Sequence, residues 1–260
     1  MYTKSDLIQH IQAAGIKPHD TLLIHSSMKA IGSVDGGADT VLDAFSEHLK
    51  PGLLVFPTHT WEQINEDYSI FYPATEPSCV GILPELFRKR PGVIRSWHPT
   101  HSVGALGEDA AAFTAGEERS QTPLPRQGCW GKLYDRNAKI LFLGAPLTTN
   151  TILHGVEEWN EVPNRLSEKY QVLTIRTPEG HLIHRTMRRH SSPVNDISSH
   201  YGKIEQPMLK LGIAKKVRIG DADSVLCQGK PMVDMVSAFL ERNPDLFLDD
   251  RPIPQEWYAN

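Results

Sequence analysis

The strongest constraint on this fold is an alternation of two periodicities. "TLLIHSS" (21–27), "LLVFPT" (53–58) and "KILFLGA" (139–145) are short apolar runs bounded by turn residues, the pattern of buried strands. Segments with helical spacing lie around them. Leu7, Ile8 and Ile11 follow Thr3, a candidate N-cap, and stop at Gly15. Val41, Leu42, Phe45 and Leu49 share one helix face. "GILPELFRKRPG" reads as a short helix closed by Pro91-Gly92, "HSVGALG" as a strand, and 108–116 as a helix. Another helix starts after Asn150 and must end before Pro163. Strand and helix in alternation predict an α/β fold with a mainly parallel sheet.

The remainder has another character. "YQVLTIRTPEGHLIHRTMRRH" reads as a hairpin turning at "PEGH", "VRIGDADSVLC" as a further antiparallel strand, and roughly 230–242 as the last helix. This predicts an antiparallel α+β part over 166–260, added to an α/β core over 1–165. No flexible linker separates them, so 1–260 reads as one domain. Residues 59–80 have no clear period. A loop of that length is usually functional or disordered, and Trp61, Tyr68, Phe71 and Tyr72 argue against disorder.

Composition narrows the function classes. A net charge of -4 supplies no basic field for nucleic acid. No apolar run approaches ~18 residues, so no membrane span is expected. "MYTKSDLIQHIQAAG" lacks the apolar stretch of a signal peptide. Cys79, Cys129 and Cys227 form no CxxC pair; the expectation is a reduced, cytoplasmic protein.

Three strands end in polar clusters: His25-Ser26-Ser27, Thr58-His59-Thr60, and the loop before Asn150. Ligands of open α/β sheets bind beyond the carboxyl ends of strands. His25, His59, His98, His101 and His154 all fall at element ends or in loops. In "TTNTILHGVEEW" (148–159), His154 shares a helix face with Glu157 and Glu158. It reads either as a base supported by a carboxylate or as a surface ion pair on a helix capped by Thr149 or Asn150. Gly155 inside that helix costs about 1 kcal/mol against alanine, which implies a close neighbour. Glu158 reads as facing solvent or an acceptor, with no catalytic role. The "HSS" hydroxyls and His25 suit either a cofactor or a serine nucleophile, but G-x-S-x-G is absent. Gly36-Gly37 before a helix leaves room for a phosphate-bearing ligand. "PTHT" and "HPTH" are weak metal patterns without a clear third ligand, and no metal is expected.

Taken in order, "LLIHSSMKAIG", "DGGADTVLDAF", "GLLVFPTHTW", "FYPATEPSCVGILPELFRKRPGVIRSWHPTHSVGALG", "GKLYDRNAKILFLGA", "NTILHGVEEW" and "VPNR" resemble the aminoglycoside 3-N-acetyltransferase family, which is distinct from GNAT enzymes. The resemblance implies a three-layer α/β/α fold, acetyl-CoA as donor, CoA as product and an amine acceptor of aminoglycoside type. It places the catalytic histidine on His154 and its acidic partner on Glu157. It sets Ser26, Ser27 and Met28 against the pantetheine. Relatives often read "FDP" where this chain has "FYP", so Tyr72 replaces an acid. Glu62, Glu66, Asp67 and Glu76 in the same loop are candidates to compensate. Of these, Glu62 and Asp67 are expected on the acceptor, joined by His101 and His190. A homodimer is a compatible assembly. The rival expectations are a serine- or metal-dependent hydrolase, using Ser26 or Ser27 or the histidine cluster, and a non-enzymatic acyl-CoA binding protein.

Overall fold

The computed structural model describes residues 1–259. In chain order the elements are α1 (Lys4–Ala13), β1 (Thr21–Ser26), α2 (Gly37–His48), β2 (Leu53–Pro57), β3 (Ile70–Phe71), α3 (Ile82–Phe87), β4 (Ile94–Arg95), β5 (Val103–Gly107), α4 (Ala110–Thr114), α5 (Cys129–Asp135), β6 (Lys139–Leu143), α6 (Ile152–Trp159), β7 (Gln171–Arg176), β8 (Leu182–Met187), α7 (Glu205–Lys210), β9 (Ala214–Ile219), β10 (Ala222–Gln228) and α8 (Gly229–Arg242). Thr3 caps α1 as expected, in a reciprocal capping box with Asp6.

Seven strands form the main sheet in the order β4-β5-β2-β1-β6-β10-β9. Period-two alternation sends its side chains to two cores. On β6, Ile140 and Phe142 face the layer of α5, α6 and α8, with Trp130, Val156 and Phe239. Leu141 and Leu143 face the layer of α1 to α3, with Ile11, Phe45 and Phe87. Each fully buried side chain of this size contributes roughly 1.5–3 kcal/mol. The α/β class is that read from the alternation of elements, and the three layers are those the resemblance implies.

The sheet is mixed rather than mainly parallel. Only the pairings of β1 with β2 and with β6 are parallel. On one side β5 pairs antiparallel with β2 and β4 with β5; on the other β10 pairs antiparallel with β6 and β9 with β10. Connection length explains part of this. Residues 96–102 between β4 and β5 are too few for a parallel crossover, which takes a dozen or more. The stretch read as one strand, "VRIGDADSVLC", is itself a hairpin turning at Gly220-Asp221. Gly220 has φ 59, and a Cβ there would lie 2.4 Å from the Ile31 carbonyl oxygen. Thus β9 and β10 complete the main sheet, and only β7 and β8 stand apart, in a three-stranded sheet with β3. The 171–187 hairpin matches its sequence pattern.

Guanidinium groups order residues 59–80: Arg88 donates to the carbonyls of Ala74 and Thr75, and Arg189 to those of Trp61 and Ile64. Arg95 is 8% exposed and donates to the carbonyls of Thr58, Pro73 and Glu76 and to Ser102 Oγ. Its guanidinium also lies over Phe71, 5.0 Å from the ring centroid. Among the described residues, no helix is long and apolar enough to cross a membrane.

Candidate active site

A cavity of about 670 Å³ opens beyond the carboxyl ends of the three parallel strands. His25 and Ser26 come from the end of β1, His59 from the turn after β2, and Thr149 and Thr151 from the turn after β6. His154 projects from α6. The segment from Arg189 to Ser198 forms the opposite wall. The volume falls in the usual range for small-molecule sites.

His154 sits at the cavity end of a buried chain of polar contacts. Its Nδ1 lies 2.8 Å from the Tyr201 hydroxyl, and that hydroxyl donates to Glu157 Oε2 at 2.6 Å. Arg165 Nε donates to the other carboxylate oxygen, Oε1, at 2.6 Å. Glu157 is fully buried, so the surface-pair reading of the histidine and the glutamate is excluded. Direct contact between them is also absent: His154 Nδ1 and Glu157 Oε2 are 3.9 Å apart, too far for a hydrogen bond. Burial pushes the Glu157 carboxyl up, while the bonds from Tyr201 and Arg165 oppose that push. Burial lowers the pKa of His154 to about 4. Its side chain is 21% exposed through the cavity, so water there offsets part of the lowering.

The other imidazoles form a neutral wall. His190 stacks over His154 with ring centroids 4.3 Å apart, and His101 follows at 5.0 Å and His59 at another 5.0 Å. Burial holds His59, His101 and His190 well below the ordinary histidine value, and His25 at about 3. His25 Nε2, His59 Nδ1 and His190 Nε2 are buried without a partner among the described residues, which leaves polar atoms for a ligand to satisfy. His98 is structural. It donates to the Thr122 carbonyl, and its Nδ1 accepts from the amides of Thr100 and His101.

Several expected residues lie elsewhere. Ser27 and Met28 begin the 3-10 turn Met28–Ile31 and are not in the cavity wall. Gly36 and Gly37 start α2, away from the cavity, and the Gly37 amide is taken by the Val34 carbonyl. Glu62 and Asp67 are exposed on the 59–80 loop, and Asp67 borders a separate depression with Glu66 and Lys169. The carboxylate among the described residues of the cavity wall is Asp196 instead. Neither Thr149 nor Asn150 caps α6. A 3-10 turn, Leu147–Thr149, runs straight into the helix, and backbone carbonyls take the Leu153 and His154 amides. Glu158 is half-buried outside the cavity wall, where it accepts from the Thr122 hydroxyl and the Leu124 amide. Gly155 does have a close neighbour: a Cβ there would lie 2.9 Å from the Trp159 ring.

Tyr201, Arg165 and Asp196 escaped the sequence reading. Arg165 stands in the quoted "VPNR", which is the one available signal. Tyr201 and Asp196 lie in "NDISSHY", which shows no motif and no clear period. The hydrolase alternatives find no support. No hydrogen bond joins Ser26 or Ser27 to a histidine among the described residues, nor do three metal-ligating side chains cluster there.

The model of the aminoglycoside 3-N-acetyltransferase family matches residues 23–241. The chain belongs to that family. It is 29% identical to aminoglycoside N(3)-acetyltransferase VII of Streptomyces paromomycinus, over 92% of this chain and 91% of that one. The crystal structure of aminoglycoside acetyltransferase AAC(3)-Xa superposes with a TM-score of 0.83, at 28% identity and 95% coverage of both chains. AAC-IIIb, solved as a binary complex with CoASH, superposes with a TM-score of 0.81, at 25% identity, covering 97% of this chain and 99% of its own. This aminoglycoside 3-N-acetyltransferase family member therefore matches its relatives over nearly its whole length, including the cavity segments.

Proposed function

We propose that this chain, acting as one domain in the cytoplasm, transfers acetyl from acetyl-CoA directly to an amine of an aminoglycoside-like acceptor. His154 is the general base and Glu157 its charge partner. The observation that carries this reading is the polar chain behind His154, which ties Nδ1 to a buried carboxylate and leaves Nε2 toward the cavity.

An ammonium has no lone pair, so the acceptor must lose a proton before it attacks. His154 is neutral at pH 7 and takes that proton on Nε2. The positive charge that develops on the ring is countered by Glu157 through the intervening hydroxyl. The donor supplies the thioester carbonyl. Hydroxyls of Ser26 and Thr151 line the same cavity and are suited to stabilise the oxyanion or protonate the departing thiolate. Thr151 Oγ1 lies 3.2 Å from His59 Nε2, which restricts its rotation. The buried Cys129 thiol, pushed up well above its ordinary pKa, is not a nucleophile here. Aminoglycosides with and without a 3-amino group, incubated with acetyl-CoA and read by free thiol release, test the reaction. Thiol release without an N-acetylated product would show hydrolysis instead.

A further inference from the structure

We propose that Tyr201 is the positioning residue that couples Glu157 to His154 and fixes which imidazole nitrogen faces the acceptor. This rests on the reading of His154 as the base. The argument is an accounting of single protons. A phenol has one proton to donate. Glu157 presents two oxygens, one held by Arg165 Nε at 2.6 Å and the other 2.6 Å from the Tyr201 oxygen. Were the phenol proton turned toward His154, two oxygen lone pairs would face each other at that distance inside the core. The proton therefore goes to Glu157. The Tyr201 oxygen can then only accept from His154, 2.8 Å away, so Nδ1 must carry the imidazole proton. The lone pair of neutral His154 is left on Nε2. That atom has no partner among the described residues and is not among the sealed, unpaired nitrogens.

The fold holds Tyr201 to this task. The residue is fully buried. Its ring meets Phe247 edge-on at 4.8 Å and His154 at 5.1 Å. It is carried by the 3-10 helix Ile197–Ile204, whose first turn is capped by Asp196 through the Ser198 amide. Asp196 itself lines the cavity. One short segment thus supplies a wall of the site and the hydroxyl that sets the tautomer of its base. Glu157, 3.9 Å from Nδ1, acts on His154 only through that hydroxyl.

Tyr201→Phe removes the oxygen and keeps the packed ring. Its kcat should fall by about 10- to 100-fold, while KM for acetyl-CoA stays within about 2-fold, because the lost contact acts on the base and not on binding. Added to Glu157→Gln, the same change should cost little more, since both sever one path. Nitrogen-15 shifts of His154 should report an Nδ1–H imidazole in the wild type and a mixed or inverted tautomer in Tyr201→Phe. Full activity in Tyr201→Phe, or additive losses in the double variant, overturns the role of Tyr201. An Nε2–H tautomer in the wild type overturns it too, and needs no variant that folds. Undiminished transfer by His154→Ala would instead remove the base assignment on which the proposal rests.

Discussion

Glu157 and Arg165 form a sealed ion pair, Oε1 to Nε 2.6 Å, with side chains 1% and 4% exposed. Such a pair gains little over an apolar substitute, yet breaking it leaves a buried charge alone. Arg165→Ala should therefore destabilise the fold by about 3–5 kcal/mol, read from urea unfolding. Adding Glu157→Gln should recover part of that loss. Equal stability of the single and double variants would show that the charge left behind is not the cost.

His154→Ala should lower acetyl transfer by on the order of 10²-fold or more. Affinity for CoA, measured by calorimetry, should stay near wild type, because the imidazole meets the acceptor's proton and not the bulk of the donor. A matching loss of CoA affinity would make His154 a binding residue.

Acid should unfold this protein early. His25, His59, His98, His101, His154 and His190 all have folded-state pKa values below the unfolded value of 6.5, chiefly through burial. As pH falls below 6.5, the unfolded chain binds protons that the folded chain refuses, so stability drops with pH. It continues to drop toward the folded values, about 4 for His154 and about 3 for His25. Each such group costs about 1.4 kcal/mol at one unit below its unfolded pKa. Thermal melts should show Tm falling steeply from pH 6.5 to 4. A flat Tm over that window would mean that these rings charge within the fold.

Asp196→Asn should raise KM for a polycationic acceptor by about 10-fold, since a lone carboxylate facing an ammonium contributes on the order of 1.4 kcal/mol. Asparagine caps a helix as well as aspartate, so the 197–204 segment should survive. Steady-state kinetics with an aminoglycoside separates this from a structural loss, which would lower kcat and Tm together.

Gly155→Ala improves helix propensity by about 1 kcal/mol, but its methyl meets Trp159 at 2.9 Å and Leu124 at 3.3 Å. Trp159 is pinned by its bond to the Leu124 carbonyl and cannot swing aside freely. Overpacking of this kind costs about 1–3 kcal/mol, so the variant should be net destabilised in urea. A gain in stability would show that the indole relocates.

The sequence by itself determined the elements whose packing is written in local period. These include the three parallel strands, the longer helices α1, α2, α6 and α8, and the 171–187 hairpin. Apolar runs and helical stripes force burial wherever they occur in a chain. It also placed His154 and Glu157 on one helix face, because that relation spans a single turn. It misjudged the sheet edges, where the short β4–β5 connection and the Gly220 turn reverse direction, and it passed over α5 and α7, whose short turns carry little periodicity.

Only the tertiary structure decided what stands between His154 and Glu157. Tyr201 is forty-four positions from Glu157 along the chain and 2.6 Å from it in space, and no periodicity links residues so far apart. That Asp196 lines the cavity wall while the loop carboxylates Glu62 and Asp67 lie outside it has the same cause. Charge on a loop is legible in a sequence, but the direction it faces is set by which distant segments pack beneath it.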